Sequence, residues 1–177
     1  IHLAFVAEFS RNEGKVYQRF IRLMPDREAD EALPSKSVML YFERELPPED
    51  VRTALDLPVG VKTIHAARTL NTAQGLVTYD ELWANPEVFE KLTKENLARH
   101  EEKMLYAFYQ RVCGVTITKC EETLKAKLMP EDLCREFGLS APTPVIEIRR
   151  TAFTYGDKPV EYHIQRCLTD RYHYQIM

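Results

Sequence analysis

The chain has 177 residues, of which 45% are hydrophobic and 29% are charged, and its formal net charge at pH 7 is −3. This length and composition suit one globular domain, or one domain with a lead-in segment. The acidic balance excludes a general attraction to nucleic acid, and no apolar run approaches the ~18–20 residues that a membrane-spanning helix needs.

The predicted elements alternate between strands rich in β formers and helices that begin at a proline or an asparagine cap. In chain order we predict a strand at 15–24, a loop at 25–36, a strand at 37–43, a helix from Pro48 that stops by Pro58, strands at 61–72 and 76–83, helices at 85–92 and 94–113, a strand at 115–127, a helix at 130–137, and strands at 145–155, 159–168 and 172–177. Strands in hairpins with helices between them predict an α+β fold, an antiparallel sheet covered on one side. Residues 1–14 are interpreted as a lead-in and residues 15–177 as the domain.

Two stretches of the chain resemble each other. Pro-Glu-Asp occurs at 48–50 and again at 130–132. Identical residues recur at the same offset in Leu57 and Leu139, Ile64 and Ile146, and Arg68-Thr69 and Arg150-Thr151. After one inserted residue, Val77 matches Val160 and Tyr79 matches Tyr162. The pattern predicts an internal pseudo-repeat of helix, strand and strand. The alternative is chance similarity between two proline-started helices.

The spacing of the cysteines and histidines indicates neither a disulfide framework nor a metal centre. The cysteines are far apart and form no C-x-x-C pair: Cys113, Cys120, Cys134 and Cys167. We expect reduced, mostly buried thiols in a cytoplasmic protein. The five histidines include no i, i+4 pair, and no glycine-rich phosphate-binding pattern occurs, so we expect no metal and no cofactor.

One arginine in each repeat falls on the apolar face of its strand. By strand alternation, Arg68 shares a face with Ile64 and Ala66, and Arg150 shares a face with Ile148. A buried guanidinium needs a carboxylate, a set of carbonyls or an anionic ligand. The structural alternative is an arginine paired with an internal acid such as Glu161 or Asp80. Two arginines at equivalent places favour a shared ligand cleft.

The remaining candidate ligand contacts are aromatic or acidic. The full set of candidate ligand-binding residues is Arg68, Arg150, Tyr79, Tyr106, Glu161, Tyr162 and Tyr172. Each tyrosine alone could equally be core. The acidic pairs Glu101-Glu102 and Glu121-Glu122 are interpreted as solvated helix and strand faces. No catalytic residue is predicted, because no Ser-His-Asp order, nucleophile elbow or reactive-cysteine context occurs.

Four segments of the second repeat carry a family resemblance: Leu133–Leu139, Pro144–Phe153, Gly156–Tyr162 and Asp170–Tyr174. Together they resemble the C-terminal half of the UTRA domain, the effector-binding domain of one subfamily of GntR-type bacterial transcription regulators. The stretch from Leu57 to Arg68 is similar to the earlier half of that domain. The resemblance implies a chorismate lyase-like fold with a buried small-molecule pocket. It also implies a homodimer in which metabolite binding changes the geometry of DNA-binding domains.

The resemblance also implies partners and a ligand class. The chain begins at Ile1, so we expect an upstream winged helix-turn-helix to make the DNA contacts, and we expect no membrane partner. Relatives that bind sugar phosphates carry Arg-x-Arg in the first repeat strand, and here Leu70 replaces the second arginine. A Ser-x-Tyr motif also lacks its serine, at Met104, and keeps Tyr106. The expected effector is therefore a small anionic metabolite, a carboxylate.

Two other functions remain open at this point. A chorismate lyase-like enzyme would share the fold, but the place of the lyase's catalytic carboxylate is occupied by Ile164. A dimerisation module without a ligand would be favoured if the inward arginines paired only with acids of the protein.

Overall fold

The computed structural model of the protein describes residues 23–26, 36–98 and 105–175. Its strands are β1 Leu23–Pro25, β2 Lys36–Glu45, β3 Thr63–Thr72, β4 Gly75–Ala84, β5 Lys119–Leu128, β6 Pro144–Thr154, β7 Lys158–Leu168 and β8 Tyr172–Tyr174. Its helices are α1 Glu49–Ala54, α2 Lys94–Ala98, α3 Leu105–Phe108 and α4 Glu131–Glu136, with a π-helix at Tyr109–Cys113 and a 3₁₀ turn at Tyr155–Asp157. Most of the strand predicted at 15–24 and the last two residues of the strand predicted at 172–177 lie outside the described residues.

Six strands form one antiparallel sheet in the order β2-β3-β4-β7-β6-β5. Strands β1 and β8 form a separate two-stranded sheet. This arrangement confirms the predicted α+β class. Strands β4 and β7 lie at the centre of the large sheet, so side chains on them have neighbours on both sides.

The register divides the side chains of the large sheet between two faces, because directly opposed residues of antiparallel strands lie on the same face. Arg68 lies opposite Asp80, which lies opposite Gln165. The face that carries these residues is named the Arg68 face. On the other side, Trp83 lies opposite Tyr162, and this side is named the Trp83 face.

Both faces of the sheet are covered, so the expectation of a sheet covered on one side is wrong. On the Arg68 face, Tyr106 and Phe108 of α3 belong to one buried cluster with Ile64 and Leu82. On the Trp83 face, α1 contributes to a second buried cluster, whose members are Val51, Leu55, Leu57, Trp83, Tyr162 and Ile164. Helices α1 and α4 therefore pack on the Trp83 face, and α3 packs on the Arg68 face. The alternation of apolar and polar residues along each strand does not specify which helix covers which face.

Helices α1 and α4 begin as their sequences predict. Each follows a proline, Pro48 or Pro130, whose extended backbone leads into the first turn, and each carries two acids in that turn. Acids there face the positive end of the helix dipole. After α4 the chain turns at Gly138, which has a φ of 65° that glycine adopts without strain.

Three boundaries differ from the predictions. Residues 85–92 form turns and not a helix, because the Asn85 side chain accepts a hydrogen bond from Glu87 N at 3.0 Å while Phe89 and Leu92 are buried in the core. The stretch predicted as one helix at 94–113 contains α2, α3 and a π-helical last turn in its described part. Strand β5 begins at Lys119 and not at 115, although Ile117 is buried.

Candidate functional site

The first ion pair of the Arg68 face joins two neighbouring strands. Arg68 on β3 lies opposite Asp80 on β4, and Arg68 Nε is 3.4 Å from Asp80 Oδ2. Both residues are buried, Asp80 almost completely. The alternation analysis placed Arg68 on this face correctly, and Asp80 was one of the two acids considered as its internal partner. The distance is longer than the ~2.7–2.9 Å of a strong charge-assisted hydrogen bond.

The second ion pair lies across the other side of the face. Arg150 on β6 lies opposite Glu122 on β5, and its guanidinium contacts the Glu122 carboxylate through Nε and Nη2. Tyr174 of β8 donates a hydrogen bond to Glu122 Oε2 at 2.6 Å. The interpretation of Glu122 as a solvated residue is therefore wrong. It shares a strand face with buried Cys120, and that spacing was the available signal.

Glu161 of β7 is the third acid of the Arg68 face and has no exposed surface. It accepts hydrogen bonds from two tyrosines of the covering layer, Tyr106 of α3 and Tyr109 of the π-helix. The Tyr106 bond is 3.2 Å long. The covering layer therefore contacts the sheet through hydroxyl groups as well as through apolar packing. Tyr106 and Glu161 were predicted site residues, and Tyr109 was not.

Buried polar atoms without partners lie on the same face. Within the described ranges, three buried side-chain atoms have no hydrogen-bond partner: Thr78 Oγ1, Asp80 Oδ1 and His163 Nε2. All three belong to the central strands β4 and β7, and His163 lies opposite Arg150. Such atoms are unfavourable unless a ligand or water satisfies them. Their clustering marks the centre of the Arg68 face as a polar site.

The surroundings of Asp80 and Tyr106 shift the pKa values of both side chains. Burial acts to raise the pKa of Asp80, but His163, whose Nε2 is 3.7 Å from Asp80 Oδ2, and Arg68 outweigh it, so the pKa of Asp80 is lowered. Burial, together with the nearby Cys120 and Glu161, raises the pKa of Tyr106 well above its ordinary value. Near neutral pH the face therefore contains an ionised Asp80 and a neutral Tyr106 hydroxyl.

Arg150 and Cys120 show how closely the groups are coupled. Burial acts to lower the pKa of Arg150, but Tyr106 and Glu122 outweigh it, so the pKa is raised and the guanidinium stays charged. Its central carbon is 5.9 Å from the centroid of the Tyr106 ring. Burial raises the pKa of the Cys120 thiol to about 12. This thiol is therefore protonated at neutral pH and does not act as a nucleophile.

Five of the seven predicted ligand residues lie on or over the Arg68 face: Arg68, Arg150, Tyr106, Glu161 and Tyr172. Tyr172 of β8 packs in a buried cluster with Ile148 and Cys167. The other two, Tyr79 and Tyr162, lie on the Trp83 face, opposite Arg166 and Trp83 respectively. Tyr79 packs against Phe137, and burial raises its pKa to about 12. The structure does not bring these two tyrosines together with the arginine pairs.

Charged groups on the Trp83 face compensate one another. Arg166 Nη1 is 2.7 Å from Glu81 Oε2, and Arg166 Nε is 3.3 Å from Glu147 Oε2. Arg149 Nε is 2.9 Å from Glu147 Oε1. His65 stacks on Trp83 with ring centroids 3.5 Å apart. These contacts satisfy protein groups with protein groups, which leaves the Arg68 face as the candidate site.

Metal binding and membrane insertion find no support in the described part of the chain. The described residues hold no cluster of three or more His, Cys, Asp or Glu side chains arranged for a metal ion. None of the helices in the described part of the chain has both the length and the apolar composition required to cross a bilayer.

Comparisons with known proteins agree on the family. The model of the UTRA domain matches residues 32–173. The solved ligand-binding domain of a regulator assigned to the GntR family, from Bordetella bronchiseptica, has 30% sequence identity and a TM-score of 0.77, with 88% of this chain and 95% of that chain covered.

More distant solved structures share the fold. The effector domain of PhnF from Mycobacterium smegmatis has 20% identity and a TM-score of 0.66, over 76% of this chain and 81% of that one. A transcriptional regulator structure from Streptomyces coelicolor has 18% identity and a TM-score of 0.70, over 86% of this chain and 95% of that one. No curated protein matches the chain. With a family-model match over most of its length and a relative at 30% identity, the chain belongs to the UTRA-domain family of GntR-type transcriptional regulators.

Proposed function

We propose that this domain binds a small-molecule effector on the Arg68 face and so regulates a DNA-binding protein. The observation that carries the proposal is the group of three unpartnered buried polar atoms between two arginine–carboxylate pairs on one sheet face. A core that was only structural would gain stability by replacing such atoms with apolar ones. Arg68 and Arg150 each contact an acid of the protein, as a ligand-free module would require. The buried polar atoms without hydrogen-bond partners beside these pairs support instead a site that a polar ligand completes.

The proposed effector is a small metabolite with a carboxylate group. Arg68 and Arg150 are the cations that would receive it, and Arg68 holds Asp80 only at 3.4 Å. A ligand carboxylate that aligned with a guanidinium in bidentate geometry would make shorter bonds than this. Tyr106 and Tyr172, both buried over the same face, would supply apolar walls.

Sensing is favoured over catalysis. The solved structures that this chain resembles are transcriptional regulators and their domains. Ile164, at the place expected for a lyase carboxylate, lies on the Trp83 face among apolar side chains. We extend the proposal to a cytoplasmic homodimer whose DNA contacts belong to an upstream winged helix-turn-helix. Effector binding here would then shift the relative population of two arrangements of that dimer.

A thermal-shift screen tests the proposal. The 177-residue chain is heated with small carboxylates, amino-acid catabolites and sugar phosphates. A true effector raises the melting temperature, and the stabilisation grows with the logarithm of 1 + [L]/Kd, where [L] is the free ligand concentration. Arg166→Ala, which removes a partly buried, ion-paired arginine from the Trp83 face, serves as the matched control, because it should lower stability and keep the ligand response. A screen in which no compound of any class stabilises the chain would overturn the proposal.

A further inference from the structure

Glu161 differs from the other acids of the Arg68 face in its surroundings. Asp80 and Glu122 each contact an arginine, whereas no Lys, Arg or His among the described residues lies within salt-bridge distance of Glu161. Its contacts are the hydroxyls of Tyr106 and Tyr109. It has no exposed surface. Among the described residues, the side-chain contacts of this buried acid are therefore two hydroxyl groups, whereas buried acids are normally accompanied by a cation within ion-pair distance.

A second acceptor on the same face also lacks a donor. Asp80 Oδ1 is buried and has no hydrogen-bond partner in the described part of the chain. An ionised carboxylate oxygen can only accept hydrogen bonds, so a group that satisfies it must carry an N–H or O–H. Two acidic side chains of one sheet face therefore offer acceptor oxygens to a ligand that carries hydrogen-bond donors.

A ligand that is only a carboxylate does not meet these needs. It brings acceptors and a negative charge to a face on which the described residues already include three acids and two arginines. Its own carboxylate can align with Arg68 or Arg150. Glu161 and Asp80 Oδ1 would gain no hydrogen-bond donor from such a ligand, and its negative charge would be unfavourable next to these two acids.

Resting on the effector-binding function proposed above, we infer that the effector carries a protonated nitrogen or an N–H donor together with its carboxylate, and that it presents this nitrogen to Glu161. The ligand class is an amino carboxylate or a carboxylate on a nitrogen heterocycle. The arginine pairs receive the anionic end, and Glu161 receives the nitrogen. Asp80 Oδ1 accepts from a further N–H where the ligand has one.

Two matched sets of probes test the inference by calorimetry and by thermal shift. The aromatic set is 4-(aminomethyl)benzoate, 4-methylbenzoate and 4-methylbenzylamine, and the aliphatic set is 5-aminopentanoate, pentanoate and pentylamine. Within at least one set the amino carboxylate should bind at least about tenfold more tightly than both compounds that lack one group, because a buried hydrogen-bonding site rejects analogues that leave it unpaired.

Glu161→Gln separates this role from a structural one. Glutamine keeps an oxygen for a tyrosine hydroxyl and replaces the carboxyl group with an amide, so the variant should fold and lose the preference for the amino carboxylate. Glu147→Gln is the matched control, since Glu147 is buried on the Trp83 face and paired with arginines. That variant should lose stability and keep the preference.

The outcomes distinguish the two proposals. If simple carboxylates or sugar phosphates bind while amino carboxylates bind no better, the effector-binding function stands and this inference fails. The inference also fails if the preference survives in Glu161→Gln. If no compound of any class binds, both proposals fail.

Discussion

Arg68 and Asp80 lie directly opposite each other on β3 and β4, with Arg68 Nε 3.4 Å from Asp80 Oδ2 inside the covered face of the sheet. The pair is buried, so neither charge can rely on water for compensation. Removing one partner leaves the other uncompensated, which is more costly than the pair itself is favourable. This asymmetry governs the first two predictions.

Arg68→Ala should weaken binding of the effector found by the screen by about 2–5 kcal/mol, the range for truncating one partner of a desolvated charge pair. Arg68→Lys should restore only part of the affinity, because an ammonium lacks the planar fork of the guanidinium. Arg150→Ala should also weaken binding, by less. Calorimetric titration of folded variants measures each effect. Unchanged affinity in both alanine variants, with a lowered melting temperature, would mean that the arginines are structural.

Asp80→Asn should remove a pH-dependent part of the folding stability. The pKa of Asp80 is lowered in the folded state, so its contribution is fully present above the unfolded-state pKa of ~3.9 and is lost as the pH falls through the folded-state pKa. Urea unfolding of the wild type and the variant should therefore differ by a constant amount above about pH 5. The difference should shrink below pH ~4. Glu49→Gln, at an exposed acid paired with Arg52, is the control and should change stability little. A gap that widens in acid would contradict the prediction.

The thiols should be almost unreactive in the folded chain. Cys120, Cys134 and Cys167 are buried, and burial raises the pKa of Cys120 to about 12, whereas Cys113 is partly exposed. With a thiol-specific disulfide reagent at pH 8, we expect at most one slow reaction, at Cys113, and four reactive thiols in urea. Cys113→Ser should abolish the slow reaction. Rapid labelling of two or more thiols in the native chain would be incompatible with this packing.

The chain should self-associate. In the described ranges the large sheet ends at β2 and β5, and Leu124 and Leu128 of β5 are exposed. An exposed edge strand with apolar side chains favours pairing with another chain. Sedimentation at micromolar concentration should give a mass above that of the monomer, and Leu128→Glu should lower it if β5 is the contact. A monomeric mass for the wild type would refute this expectation.

Strand alternation predicted which residues share a face, but it could not say which faces of different strands meet. Arg68 and Arg150 were placed correctly because each lies among apolar residues of its own strand. Tyr79 and Tyr162 were wrongly grouped with the arginines. Which faces of neighbouring strands coincide is set by the register of long-range strand pairing, and this register places Asp80 and His163 on the Arg68 face and the two tyrosines on the other.

The other differences have local causes. Glu122 looks solvated because it follows another acid, Glu121, in an edge strand, whereas in the structure it is covered by contacts with Arg150 and Tyr174. Asn85 can cap a helix or form a side-chain turn, and the burial of Phe89 decides for the turn. Sequence patterns specify the possibilities in such cases, and tertiary packing selects among them.

Three tyrosine hydroxyls reach from the covering layer to acids of the sheet: Tyr106 and Tyr109 to Glu161, and Tyr174 to Glu122. The covering layer therefore contacts the sheet at the same acids to which the proposed ligand would bind or lie close. A ligand that donated a hydrogen bond to Glu161 would compete with the two hydroxyls for the same carboxyl oxygens, so occupancy and attachment of the cover would be thermodynamically linked. The sheet beneath, whose six strands are joined by backbone hydrogen bonds, would act as the fixed support, and the π-helix and β8, which carry Tyr109 and Tyr174, would take up the displacement.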